Sequence, residues 1–417
     1  MISRFDFFLA VFLVWNISTL PAQEWSRFRG NNGTGISNAT TVPTSWKMKD
    51  LNWKTKLPGV GHSSPIQYGK TVFVLSADPE NATKYVVAVN AKNGKIEWTK
   101  KFESSPYRCH RLNSYNSGTP AADNERLYVS WSDKSKTTLF AFTHDGKKVW
   151  QKELGTWVGQ HGFAASPIVY QDKVIISNSQ QKDQLKPGDR AGKSIVYAFD
   201  SKTGKLAWQS ERVTTRVSYS VPCIYKNRAG QDELVCCNTA EGVYSLNPDN
   251  GKLNWSYDKA FDKRTVASPV IANGLILGSC GSGGGGNFVV AIQPGKTPVL
   301  KFKVDRNANY VPTPIAFNDL IFLVSDKGIA SCVESQSGDV IWRERLKGEY
   351  WASPVCVNGR IFVINSIGEV TVFTAGRKFQ KLGESNLGEK CHSTPAITGG
   401  KMILRTVSHL MSIGGPS

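Results

Sequence analysis

The sequence predicts an all-β fold, an eight-bladed β-propeller of four-stranded antiparallel blades. A small residue or Val followed by Pro opens an apolar run eight times, at a spacing suited to one blade each. A Gly turn leading into a Trp strand recurs within those units. A lone Trp strand stands ahead of the first unit, and the last unit lacks one. Composition agrees. With 417 residues, 40% hydrophobic and 20% charged, the chain is too apolar for a disordered protein and long enough for a substantial core. Its 12 Trp and 38 Gly suit short strands joined by tight turns.

At the start, Met1–Asp6 carries Arg4, Phe7–Trp15 is apolar, and a polar stretch ends at Pro21-Ala22. This is the order of a secretory signal peptide, residues 1–22, cleaved after Ala22. Nine apolar residues are too few to span a bilayer, which needs about 20. The expected location is therefore periplasmic or secreted, with no transmembrane segment. Residues 23–50 form a leader rich in Gly, Asn, Ser and Thr, residues 51–413 the propeller, and residues 414–417 a tail.

The repeat dipeptides are Ser64-Pro65, Thr119-Pro120, Ser166-Pro167, Val221-Pro222, Ser268-Pro269, Thr313-Pro314, Ser353-Pro354 and Thr394-Pro395. Successive prolines lie 55, 47, 55, 47, 45, 40 and 41 residues apart. Each Pro opens a short strand such as Val355-Cys356-Val357. A turn, a second strand such as Ile361–Ile364 and an alternating third strand follow. The third then enters a Gly turn before the Trp strand, as in Asn93-Gly94-Lys95-Ile96-Glu97-Trp98. Gly supplies the positive φ of such turns, and Trp is large enough to fill the gap between blades. Blades five and seven depart, with Phe302 and with Phe379 or Leu382 near the Trp position. Leu51–Leu57 carries the Trp-strand pattern alone and is expected to supply the outer strand of blade eight, closing the ring and removing an edge.

Export permits disulfides, yet most of the eight Cys fall within apolar strands and read as small buried hydrophobes. Cys223 and Cys236 flank a hairpin and are the one expected pair. No Cys/His spacing suits zinc.

Ser/Thr-Pro, a hydrophobic strand and Gly-Lys-x-x-Trp together resemble the repeat of pyrroloquinoline-quinone-like (PQQ-like) propellers, over about residues 51–413. The resemblance implies two uses. One is a PQQ-dependent dehydrogenase holding quinone and calcium; the other is a non-catalytic binding propeller such as the outer-membrane-protein assembly lipoprotein. The opening Trp25-Ser26-Arg27-Phe28-Arg29-Gly30-Asn31-Asn32-Gly33-Thr34-Gly35 is similar to that of exported planctomycete-type propellers.

Enzyme templates find little. The adjacent Cys236-Cys237 resembles the vicinal pair of quinoprotein dehydrogenases. It lies in a plain strand, where neighbouring side chains point to opposite faces. No trio of carboxylate base and hard oxygen ligands with that family's context is present. Gly281–Gly286 is followed by a strand rather than the helix a phosphate cradle needs. The charge of +18 would suit nucleic acid in a cytosolic protein. In an exported one, Lys95, Lys147, Lys148, Lys205 and Lys252 read as a solvated rim on one face.

The other face gathers His62, Tyr115, His161, Tyr219, Arg264, Tyr310, Tyr350, Trp351 and His392 within two to six residues of the repeat prolines. These ring the expected mouth of the central channel and form the candidate ligand site. The expected function is a non-catalytic binding or scaffolding propeller, engaging an envelope protein or a carbohydrate. No cofactor, metal or nucleic acid is expected; a PQQ-dependent alcohol or sugar dehydrogenase is the alternative.

Overall fold

The computed structural model describes residues 24–133 and 135–415. The expected signal peptide and the last two residues of the tail lie outside the described residues. Eight four-stranded antiparallel sheets follow one another around a channel, and no α-helix occurs among the described residues. The inner strands begin just after the repeat prolines, as at Ile66–Tyr68, Ile168–Tyr170, Val270–Ala272 and Val355–Val357. Blade eight consists of Ala396–Thr398, Lys401–Arg405 and His409–Gly414, with Trp53–Lys56 antiparallel to the last of these. Trp53 pairs with Ser412, so the ring closes as the lone Trp strand predicts.

The repeated residues make the seams between blades. Gly94, Gly146, Gly204 and Gly251 of the hairpin turns lie against the Trp of the preceding blade. A Cβ on Gly94 would sit 2.7 Å from the Trp53 ring, and one on Gly204 2.7 Å from Trp150. The indole N–H then donates to a carbonyl of that next blade: Trp53 to Ala91, Trp98 to His144, Trp150 to Ser201, Trp208 to Pro248 and Trp342 to Gly376. Trp255 departs, donating instead to Glu233 Oε2 at 2.7 Å within its own blade. Phe302 replaces Trp in blade five, and Gly338 of blade six lies on its ring. In blade seven the register puts neither Phe379 nor Leu382 at the Trp position. Gly383 stands there, opposite Val372. The leader backbone at Thr44 takes the vacated space, and Trp46 is buried beside it. Phe379 packs on Trp342 of blade six, ring centroids 5.3 Å apart.

Ser and Thr before Pro serve a second seam. The backbone N–H groups of Thr119, Val221, Ser268, Thr313, Ser353 and Thr394 donate at 2.9–3.0 Å to the hydroxyls of Ser166, Ser268, Thr313, Ser353, Thr394 and Ser64. Each acceptor belongs to the next blade, so the motif stitches the inner wall of the ring.

The expected Cys223–Cys236 bridge is absent: both thiols are free. Cys223 lies opposite Val235, and Cys236 is the next residue along. Strand alternation therefore turns Cys236 to the other face of the blade, into a separate cluster with Tyr244, while Cys237 shares the face of Cys223.

Candidate functional site: a cup with one mouth

Within each blade the inner strand descends from the Pro end, so the blade-to-blade connections share one end of the channel. The hairpin turns share the other, where Lys95, Lys147, Lys148, Lys205 and Lys252 are all exposed. The leader seals this turn-bearing end. Trp25 is buried and bridges Gln67 of blade one. Ala122 of blade two donates its N–H to the Ser26 carbonyl. Arg27 Nη2 donates to the Pro222 carbonyl of blade four at 2.6 Å. Arg29 spans blades six and seven: Nη2 reaches the Pro314 carbonyl at 2.7 Å, and Nη1 those of Pro354 at 2.7 Å and Thr313 at 3.3 Å. Ile36–Ser37 then adds in parallel to Val355–Val357 of blade seven. The glycines of the opening are needed for this path. Gly30 has φ 66° with Trp25 where a Cβ would stand, and Gly35 has φ 70° with Arg29 there. The leader, which composition alone describes as a polar segment, is thus the channel floor.

Above that floor lies a cavity of about 340 Å³, with Phe28 among its lining residues. Seven of the nine predicted mouth residues line it: His62, His161, Tyr219, Arg264, Tyr310, Trp351 and His392. Tyr350 does not. It is 1% exposed, packed in the core between blades six and seven, with its hydroxyl donating to the Lys347 carbonyl. Tyr115 is also elsewhere, its carbonyl accepting from Lys84 Nζ and its ring packed on Tyr107. Both sit at the right distance from a proline but rotated out of the channel. Sequence spacing missed His110, from the long connection between blades one and two, and Ser282 and Gly283 of the glycine loop; all three line the cavity. The leader residue Phe28 was missed for a different reason, being far from any repeat.

His62 and His392 stack with ring centroids 4.4 Å apart, Trp351 leans on His392 at 6.5 Å, and His110 approaches His161 at 4.9 Å. Burial holds the His62 imidazole well below its usual pKa, with His392 and Arg405 acting in the same direction. Burial brings His161 down to about 4, reinforced by Arg264, His110 and Arg108. His392 is lowered by burial and by Lys390, and His110 by burial and by Arg111, Arg108 and Arg264. The four imidazoles are therefore neutral at pH 7. Arg264 is 6% exposed, and its Nη2 donates to Gln160 Oε1 at 2.9 Å. Several buried polar atoms of the lining have no partner among the described residues: Nδ1 of His62, His161 and His392, Nε1 of Trp351, Oη of Tyr219 and Nε of Arg264.

Among the described residues, no Asp or Glu lines the cavity. Calcium takes oxygen ligands, carboxylates foremost, so this donor set does not fit the calcium of a quinone site. Cys236 and Cys237 line neither wall nor mouth and face opposite sides of their blade.

The outer membrane protein assembly factor BamB of Moranella endobia (strain PCIT) is 23% identical over 245 residues, 52% of this chain and 57% of that protein. Tetrathionate hydrolase of Acidithiobacillus ferrooxidans is 24% identical over 298 residues, 65% of this chain and 54% of that enzyme. The chain thus spans little more than half the length of these relatives. A europium-containing methanol dehydrogenase superposes with a TM-score of 0.67 at 14% identity, covering 94% of this chain and 91% of that one, a likeness of fold. The family model described as outer membrane protein assembly factor BamB matches residues 82–344 and 307–411, and to that family of PQQ-like-repeat propellers the chain belongs.

Proposed function

We propose that this chain is a non-catalytic binding propeller of the cell envelope, engaging an envelope protein or a carbohydrate at its mouth face. The supporting observation is the cup: a preformed cavity of about 340 Å³ with an aromatic wall, neutral imidazoles and unpartnered polar atoms. Concave, largely apolar sites with a few convergent polar groups are where ligands bind. The family match agrees with an envelope role. A quinone with calcium is no part of this proposal, because among the described residues the lining offers neither a carboxylate base nor carboxylate ligands.

The test replaces Arg264 and Trp351 by Ala, singly and together, and measures capture from envelope extract beside the melting temperature. Captured material is identified by mass spectrometry, and its absorbance is scanned for a quinone. Loss of capture with melting held within a few degrees supports the proposal. Unaltered capture, or a co-purifying quinone that turns over alcohols, overturns it.

A further inference from the structure

We propose that the cup takes a small ligand bearing an oxyanion, a carboxylate or a phosphate, and that Arg264 receives it. This rests on the mouth face being a binding surface and adds the chemical class of what enters it.

Charge points first to an anion. The buried side chains of formal charge are Arg27, Arg29, Lys84, Arg264 and Arg405 against only Glu233 and Asp326 among the described residues. Neither acid pairs with any of these cations. The bonded donors of Arg27, Arg29 and Arg405 go to backbone carbonyls within the wall and floor, while Arg27 Nε and Arg405 Nε and Nη2 have no partner among the described residues. Arg264 differs in lining the cavity: its side-chain partners are the neutral Gln160, Gln181 and Tyr310, and its Nε has none among the described residues. A buried guanidinium without an acid is costly unless an anion answers it. Charges acting on the mouth histidines have the same sign throughout: Arg108, Arg111, Arg264, Lys390 and Arg405.

Hydrogen-bond polarity points the same way. The hydroxyls of Ser64, Ser166, Ser268, Thr313, Ser353 and Thr394 each accept a backbone N–H, and all six residues line the cavity. Their own O–H protons are committed to no protein acceptor among the described residues, which leaves donors along the wall. Trp351 Nε1 and Arg264 Nε are unpartnered donors too. A neutral sugar needs acceptors for its hydroxyls, and among the described residues the lining offers imidazole nitrogens and hydroxyls but no carboxylate, the strongest of these. An oxyanion needs donors alone. It finds here a planar guanidinium suited to carboxylate and phosphate.

The test is calorimetry on the full chain with glucuronate, glucose 6-phosphate, inorganic phosphate and glucose. Glucose shares the ring of the first two and lacks the oxyanion. At least one sugar anion is expected to bind, with glucose at least about tenfold weaker, and the preferred anion separates a carboxylate source from a phosphate one. Arg264→Gln should lose at least about tenfold in anion affinity with its melting temperature held, and Arg264→Lys should retain part of it. If Arg264→Gln unfolds, the comparison rests on Arg264→Lys, which must weaken the anions and leave glucose unchanged. Equal binding of glucose, binding of none of the anions, or unaltered anion affinity in a folded Arg264 variant would overturn the proposal. Capture from envelope extract that still depends on Trp351 would then leave the mouth-face function standing. Anion binding alongside mouth-independent capture would remove that function and keep the ligand.

Discussion

Trp53 is the side chain by which a strand from the start of the chain holds the last blade, and Trp53→Ala tests whether that closure limits stability. The ring is 8% exposed, lies on Gly94 of blade one, and donates its N–H to the Ala91 carbonyl at 3.1 Å. Thr55 on the same strand adds a 2.6 Å hydrogen bond to the Gly94 carbonyl. Truncating a buried Trp costs about 3–5 kcal/mol, and leaving the Ala91 carbonyl without its donor adds roughly 1 kcal/mol. For a chain of this size the unfolding entropy is near 0.8 kcal/mol/K, so the melting temperature should fall by about 5–7 °C. Calorimetry measures it, with the exposed neighbour Lys54→Ala as a control expected to change little. Deleting Leu51–Leu57 should do more, because it uncovers the edge of His409–Gly414 and invites strand pairing between molecules. A Trp53→Ala protein melting within a degree of the parent would show that the seam to blade one does not hold the ring.

Arg29→Met removes the donors of the Thr313, Pro314 and Pro354 carbonyls. It should cost at least about 2 kcal/mol and expose the leader to protease ahead of the blades; a leader cut no faster would refute its role as floor. Gly94→Ala forces a side chain onto φ 75° and into the Trp53 ring, so it should lower the melting temperature well beyond an ordinary surface change, and an unchanged value would contradict the seam geometry. The mouth histidines set a pH dependence. Their folded pKa values lie below the free value of 6.5, that of His161 at about 4, so the unfolded chain takes up protons first as pH falls. Stability should therefore drop between pH 6.5 and about 4, and His62→Gln with His392→Gln should flatten the drop; an identical slope would count against neutral buried imidazoles. Asp326 has the opposite sign. Burial raises its carboxyl to about 6 while its Oδ1 accepts the N–H groups of Val311 and Tyr310, so ionisation of the folded protein is disfavoured. Asp326→Asn should gain stability relative to the parent as pH rises from 3.8 through 6, measured as a widening difference in melting temperature, and a constant difference would refute it.

The sequence by itself determined the blade count, the chain closure and the end of the channel at which to look. It did so because each blade is a local object: its hairpins are set by Gly turns and alternating strands, and a Trp absent from the last unit must come from elsewhere. Spacing from Pro also fixes a residue's height along the channel, which is why His62, His161, Tyr219, Arg264, Tyr310, Trp351 and His392 meet at one cavity. Height does not fix rotation. Tyr115 and Tyr350 stand at similar heights and turn toward the Lys84 side chain and the core between blades, a choice made by packing against neighbours distant in sequence. Tertiary structure alone decided the floor. Arg29 reaches the carbonyls of Pro314 and Pro354, some three hundred residues away, and no local pattern in the leader encodes those partners. The cup has one mouth because a polar segment finds its acceptors only after eight blades have closed around it.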